Sequence, residues 1–315
     1  MVINEMAYER LEALLSGASK VRRHEPMARH TTLRVGGPAD LYVEPAHEEN
    51  LAALLRHCAR ESLPWMVCGR GSNLLVRDGG IRGVVISLAH PGFSRMEREG
   101  DSLRCGAGAR LKEVAHQARR HGLAGLEFLE GIPGCVGGAL RMNAGAMGTS
   151  LFEVATHVRF MEESGEVREE PAPALEATYR SCASLRRRIA LGAVLAGRPD
   201  DPEAIAERMR QYSSRRWETQ PAAPSAGCMF KNPGSIPAGR LIDELGLKGH
   251  RAGDAMISDV HGNFIVNKGR ATAQQVLDLM QQVQARARAE RGIELEPEVQ
   301  VVGDVAPYST PLHAS

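Results

Sequence analysis

Apolar and polar residues recur along this chain at two periods, and those periods mark out its elements. Over residues 47–62, Leu51, Leu54, Leu55 and Cys58 return at helical spacing, and residues 111–120 and 203–216 also read as helices. A fourth helix opens with Thr272-Ala273-Gln274-Gln275, a capping-box pattern. It carries Val276, Leu279, Met280 and Val283 on one stripe and closes on arginines and Gly292. Short apolar runs between turn formers read as strands. These are Leu41-Tyr42-Val43, Trp65-Met66-Val67-Cys68, Leu74-Leu75-Val76, residues 83–88, the neighbourhood of Leu103, residues 189–195, Phe264-Ile265-Val266 and residues 299–302. Residues 31–38 predict a short strand and a tight turn into the strand at Leu41. Val158-Arg159-Phe160-Met161 and Val167 flank Ser164-Gly165 and predict a hairpin. The charged residues 95–101 read as an exposed turn, 171–174 as a surface connection and 220–226 as a Pro/Ala-rich loop. The order is α+β with many short strands and lacks the regular βαβ alternation of a parallel Rossmann sheet. The run Gly-Arg-Pro-Asp-Asp-Pro at 197–202 interrupts the pattern and sets the main domain boundary.

Composition narrows the class. A chain of 315 residues exceeds one ordinary core and predicts two or three packed units. Its 39 Lys and Arg nearly balance 38 Asp and Glu, so no broad field awaits a polyanion and nucleic acid is not an expected partner. No apolar run reaches membrane-spanning length and no charged leader precedes an apolar stretch, so a soluble, cytoplasmic protein without membrane insertion is expected. Cys58, Cys68, Cys105, Cys135, Cys182 and Cys228 form no C-x-x-C pair, which argues for reduced thiols and against a metal site. Aromatics are 4% of the chain while glycines number 33, which favours sites built from backbone over stacking platforms.

The glycines concentrate the candidate chemistry. Gly131-Ile132-Pro133-Gly134-Cys135-Val136-Gly137-Gly138-Ala139 is followed by Asn143-Ala144-Gly145-Ala146, and a second loop, Gly69-Arg70-Gly71-Ser72-Asn73, lies upstream. Glycine lets backbone approach a ligand closely, and successive N–H groups make an anion site suited to a diphosphate. Neither Gly69-x-Gly71 nor Gly106-Ala107-Gly108 completes the Rossmann fingerprint: Leu74 and Leu111 stand at the third glycine, and the first loop runs into a strand. Tyr179-Arg180-Ser181-Cys182 offers a guanidinium, and Ala226-Gly227-Cys228-Met229-Phe230-Lys231-Asn232-Pro233 offers a thiol, an ammonium and an amide. Glu298 opens the last strand. A thiol, with a reference pKa of about 8.5, titrates within reach of neutral pH and can donate a proton. Taken singly, Arg180 and Glu298 read equally as solvated charges, Cys228 as a buried filler and His261 as a turn residue bonded to backbone.

In order along the chain, these segments resemble the UDP-N-acetylenolpyruvoylglucosamine reductase family. The matching pieces are Thr32-Leu33-Arg34-Val35-Gly36-Gly37-Pro38-Ala39, both glycine loops, Tyr179-Arg180-Ser181, residues 226–233, Ala238-Gly239-Arg240-Leu241-Ile242, Gly246-Leu247-Lys248-Gly249, residues 261–267 and Glu296-Pro297-Glu298-Val299. They cover residues 20–303. The resemblance implies an α+β fold. A two-subdomain FAD-binding module of the vanillyl-alcohol-oxidase (PCMH) type over 20–90 and 91–200 would precede a C-terminal α+β substrate domain over 201–303, with terminal extensions at 1–19 and 304–315. The short spacing after Arg180 implies the shorter, type II form, without the tyrosine-bearing loop that closes over substrate in the longer one.

The resemblance also implies chemistry. NADPH would reduce non-covalent FAD, and the flavin would then pass hydride to the enolpyruvyl group of UDP-N-acetylglucosamine enolpyruvate, giving UDP-N-acetylmuramate for peptidoglycan synthesis. Nicotinamide and sugar nucleotide would use one site in turn. Arg180 and Glu298 would stabilise the enolate, and Cys228, where many members have serine, would protonate the inner carbon. Arg34, Gly69, Arg70, Gly71, Ser72, Asn73, Gly131, Ile132, Pro133, Gly134, Val136, Gly137, Gly138, Asn143, Gly145 and Ala146 would bind the cofactor, and Tyr179, Lys231 and Asn232 the substrate. Gln220 stands where the longer type has a lysine, and Cys135, Leu140 and Met147 are softer departures expected to face the core. No metal is implied, and the sequence is compatible with a monomer. Two rivals would share the glycine loops: an alcohol or sugar-lactone oxidase of the same fold, needing neither Cys228 nor Glu298, and a sugar-nucleotide sensor without catalysis.

Overall fold

A computed structural model describes residues 5–15 and 17–305, with side chains from residue 8 onward. Residues 1–4, 16 and 306–315 lie outside the described residues, so the extensions expected at 1–19 and 304–315 are described only in part. Within the first extension, helix Glu5–Leu14 buries Leu11 against Leu51 and Leu55, so it is part of the first core.

The first unit is a four-stranded mixed sheet in the order Lys20–Pro26, Pro38–Glu44, Ile81–Ile86, Trp65–Val67. The first pair is antiparallel and the other two are parallel. Parallel neighbours need a crossover, and helix Glu48–Arg60 supplies it, burying Leu51, Leu54, Leu55 and Cys58 as its stripe requires. Strand Lys20–Pro26 escapes the sequence pattern because KVRRHEP sits at the sheet edge and needs no apolar alternation. Residues 31–37 are a loop, not the expected short strand. The Thr31 hydroxyl donates to the Val35 carbonyl at 2.8 Å, and Leu33 and Val35 turn away into the core of the third unit.

The second unit is an antiparallel five-stranded sheet in the order Val167–Pro171, Ala155–Met161, Ile189–Ala196, Ser102–Gly106, Met96–Glu99. Residues 96–99, expected within an exposed turn, form its edge strand. Their charges face water while the backbone pairs with residues 102–105. Only Gly100 and Asp101 make the turn. The expected connection at 171–174 carries a 3-10 turn, Ala172–Leu175, with Ala172 and Leu175 buried. Helix Leu111–Arg120 packs on this sheet. Helix Pro202–Thr219 packs outside it, on that helix and on the 3-10 turn Glu127–Gly131, and its Ile205 and Met209 enter the same core although the sequence pattern breaks just before it.

The third unit is an antiparallel sheet, Ser225–Cys228, Phe264–Asn267, Ala255–Ile257, Arg251–Ala252, covered by helices Ala238–Glu244 and Ala273–Arg291. The capping box at Thr272 and the left-handed Gly292 cap are both present. Strand Gln300–Val302 returns to pair, in parallel, with Leu74–Val76 just after the first glycine loop. Across the same seam the Asp78 carboxylate accepts from the amides of Ala273 and Gln274, at 2.8 and 3.0 Å. Among the described residues no helix is long and apolar enough to cross a membrane.

Candidate active site

Where the three units meet, a cavity of about 780 Å³ opens, large enough for a ligand of dinucleotide size. Both glycine loops line it, and they touch: the Ser72 hydroxyl donates to the Pro133 carbonyl at 2.7 Å. A Cβ added at Gly69 would lie 2.8 Å from Cys135 Sγ. At Gly71 the backbone is left-handed, with φ +60°, and a Cβ would lie 2.2 Å from the His30 carbonyl. These glycines are demanded by the contact between segments, not by flexibility.

Among the described residues, the amides of Gly69, Arg70, Ser72 and Asn73 donate to no protein acceptor, while that of Gly71 is turned to the Cys68 sulfur. Four unpartnered N–H groups within a five-residue loop lining a cavity have the makings of an anion cradle. The second loop contributes less of its backbone than its glycines suggested. It folds into helix Val136–Met142, and the amides of Val136 and Gly137 donate to the carbonyls of Ala109 and Ala107, at 3.0 and 2.9 Å. Its Gly138 leaves open space at the wall, whereas Gly137 packs closely on Ala107, where an added Cβ would lie 3.0 Å from the alanine Cβ.

Arg180, Cys228 and Glu298, from three separate segments, line the same cavity. The turn carrying Arg180 is left-handed at that residue, with φ +56°. Its Nε lies 2.9 Å from Glu298 Oε1, a close ion pair not aligned as a hydrogen bond. Another guanidinium nitrogen donates to the Gly145 carbonyl at 3.4 Å. Glu298 is only 14% exposed, and burial pushes its carboxyl up against the opposing pull of Arg180. Cys228 closes the strand Ser225–Cys228. Burial, then the charge of Glu298, pushes its thiol up to about 12, Arg180 and Asn263 acting in the other direction. Desolvation of the thiolate thus outweighs the nearby cation, and the thiol sits well above its reference value.

Asn263 shows how this end is held. Its side-chain oxygen accepts from the Phe230 amide at 2.9 Å, its nitrogen donates to the Phe230 carbonyl at 2.7 Å, and its own carbonyl accepts from the Met229 amide at 2.9 Å. The Met229 carbonyl in turn accepts from Glu298 N at 2.8 Å, so the thiol and carboxylate strands share one frame. Asn73 completes it from the cradle: Nδ2 donates to the Glu298 carbonyl at 3.1 Å and its own carbonyl accepts from Gln300 N at 2.9 Å.

Other expected site residues lie elsewhere. Ile132, Pro133, Gly134 and Gly145 line the cavity, whereas Arg34, Gly131, Val136, Asn143 and Ala146 do not. Arg34 is exposed on its loop, and Asn143 is a left-handed helix cap bonded to the Thr178 carbonyl and the Phe152 amide. Tyr179 is exposed, its ring 5.1 Å from the Arg180 guanidinium. Lys231 pairs with Glu296, and the Asn232 side-chain oxygen accepts from Ala238 N; neither lines the cavity. His261 is a turn residue whose Nδ1 accepts from the Asn263 amide. The walls also include residues that sequence patterns mark only as strand interior, Trp65, Met66, Ser87, Leu88 and Ile189. Their apolar signal does not distinguish a cavity wall from a core.

Fold and site together define an FAD-dependent oxidoreductase of the α+β, two-subdomain flavin-binding class. The FAD binding domain matches residues 39–170, and the cavity suits the cofactor on its own evidence, free amides in one loop facing a cavity of dinucleotide size that the second glycine loop also lines. The chain belongs to the UDP-N-acetylenolpyruvoylglucosamine reductase family, whose C-terminal domain matches residues 220–302. It is 44% identical to UDP-N-acetylenolpyruvoylglucosamine reductase 2 of Symbiobacterium thermophilum, over 94% of this chain and 96% of that one. To the Bacillus subtilis reductase it is 40% identical, over 90% and 94% of the two chains. The crystal structure of the Thermus caldophilus reductase superposes with a TM-score of 0.79 at 39% identity, covering 90% of this chain and 99% of that one.

Proposed function

We propose that the protein catalyses the NADPH-dependent reduction of UDP-N-acetylglucosamine enolpyruvate to UDP-N-acetylmuramate, a cytoplasmic step in peptidoglycan precursor synthesis. The observation that carries this reading is the gathering of Arg180, Glu298 and Cys228 in one cavity with the amide cradle. When bound, FAD supplies hydride transfer from the nicotinamide to the enolpyruvyl double bond. The free amides within residues 69–73 would hold its diphosphate, and the open wall at Gly138 would admit it closely.

The remaining steps fall to side chains. Arg180 binds and polarises the substrate carboxylate, which withdraws electrons from the carbon that receives hydride. Glu298, whose protonated form burial favours against the pull of Arg180, would share or donate a proton to the oxygen on which enolate charge develops. The Cys228 thiol keeps its proton at neutral pH and delivers it to the inner carbon. An enolate carbon is a stronger base than a thiolate, so a weak acid suffices. Tyr179, exposed beside Arg180, is placed to meet the sugar nucleotide. In this reading residues 20–90 and 91–200 hold the cofactor and 201–303 meet substrate, with helix Pro202–Thr219 packed on the cofactor half.

The test is spectroscopic. Purified protein carrying flavin should bleach on addition of NADPH under exclusion of oxygen and recover colour when the enolpyruvyl sugar nucleotide is added. Flavin bleached instead by an alcohol or a sugar lactone, with no recovery on the enolpyruvyl substrate, would overturn the proposal in favour of an oxidase.

A further inference from the structure

Six arginines line the cavity: Arg70, Arg141, Arg180, Arg186, Arg187 and Arg188. Three are paired with carboxylates, Arg180 with Glu298, Arg187 with Glu163 and Arg188 with Glu162. Among the described residues the other three guanidiniums have no ion-pair or hydrogen-bond partner. Arg70 and Arg186 are exposed, where water solvates a charge adequately. Arg141 is half-buried. It follows Gly137 by four residues on helix Val136–Met142, hence on the same helical face, and both line the cavity. The Arg141 carbonyl accepts from the Cys182 amide at 3.2 Å, which anchors this helix to the segment that carries Arg186. Burial, then the charge of Arg186, holds the Arg141 guanidinium below its usual value. Both cavity-lining carboxylates, Glu163 and Glu298, are already engaged by other arginines. A half-buried cation beside a like charge is unfavourable unless an anion joins it, and the planar guanidinium fork matches phosphate oxygens.

We propose that Arg141, seconded by Arg186, binds a phosphate of a nucleotide held in this cavity, adding a charged contact to the neutral amides of residues 69–73. The inference rests on the cavity being a flavin site. Arg141 shares a helix face with Gly137 of the second glycine loop, so the diphosphate of FAD is the first candidate; the phosphates of an entering NADPH or UDP-sugar offer the same chemistry.

The full chain, freed of flavin in high salt, is titrated with FAD and, in parallel, with riboflavin, which has no phosphate. Arg141→Met should weaken FAD roughly 10- to 100-fold and leave riboflavin unchanged. Arg141→Lys should recover part of the loss, and Arg186→Met should show a smaller loss in the same direction. If FAD affinity is intact but the flavin-loaded Arg141→Met variant binds NADPH or UDP-N-acetylglucosamine more weakly by a similar factor, the phosphate belongs to the entering nucleotide and the proposal stands. Equal losses for FAD and riboflavin, or unchanged affinity for every ligand, would overturn it. Failure of the underlying reading looks different: the unaltered protein would then take up no flavin at all.

Discussion

In the proposed reaction Cys228 would meet two demands, to stay protonated until needed and to give up its proton within one turnover. Burial secures the first by raising the thiol from 9.0 to about 12, so it remains neutral where a free thiol would begin to ionise. Iodoacetamide should therefore label it slowly near pH 8–9, and faster once the protein unfolds. Cys228→Ala should lower steady-state turnover by about 10²–10⁴-fold while flavin reduction by NADPH stays unchanged, and Cys228→Ser should keep most activity. Rapid-mixing measurements of the two half-reactions would separate these effects; equal slowing of both would remove the acid role. The residue types were legible in the sequence, because Arg180, Cys228 and Glu298 sit in recognisable segments. The thiol's acidity was not, since it depends on desolvation and on a carboxylate 70 positions away in the chain. Gly71 belongs to the same scale. Gly71→Ala combines left-handed strain with a backbone clash and should cost about 2 kcal/mol or more in stability, together with flavin retention. A denaturant melt and the absorbance of the purified protein would both report it.

Among the elements, those with strong internal signals formed as the pattern predicts. Helix Ala273–Arg291 has its cap at Thr272, its buried stripe and its Gly292 stop. Elements whose stability comes from a distant partner left no such mark. Strand Met96–Glu99 is an edge strand of charged residues, and residues 31–37 become a loop because Leu33 and Val35 are drawn into another unit's core. Asn263 likewise looks like one polar residue in a turn, yet it carries both backbone groups of Phe230. Asn263→Ala leaves two buried groups unpaired and should cost about 2–4 kcal/mol. The accompanying fall in turnover should exceed that of an equally destabilising change far from Cys228; a parallel fall in both would deny Asn263 a positioning role. Asp78→Ala uncovers two amides at the start of the last helix and should cost about 1–2 kcal/mol in a thermal or chemical melt.

At the scale of the whole molecule, buried thiols tie stability to pH. Burial pushes Cys58, Cys68, Cys105 and Cys228 up to about 12 and raises Cys182. Each folded-state value lies above the unfolded one, so their contribution is complete below pH 9.0 and is lost as pH rises from there toward about 12. Thermal midpoints should be level on the neutral side and fall steeply above that onset, and replacing Cys58 by Ala should soften the fall. A midpoint indifferent to alkaline pH would contradict the burial. The same distinction divides what was knowable beforehand. The sequence by itself determined the helices with their caps, most of the strands, the two glycine loops and the inventory of reactive groups, because each depends on residues within a few positions of one another. Only the tertiary structure decided that Ser72 meets Pro133, that Gln300–Val302 pairs with Leu74–Val76, that the amides of Gly69, Arg70, Ser72 and Asn73 stay free while those of Val136 and Gly137 do not, and that three reactive side chains share one cavity. Those outcomes follow from long-range packing, where the burial of distant apolar faces selects which backbone groups find partners and which are left for a ligand.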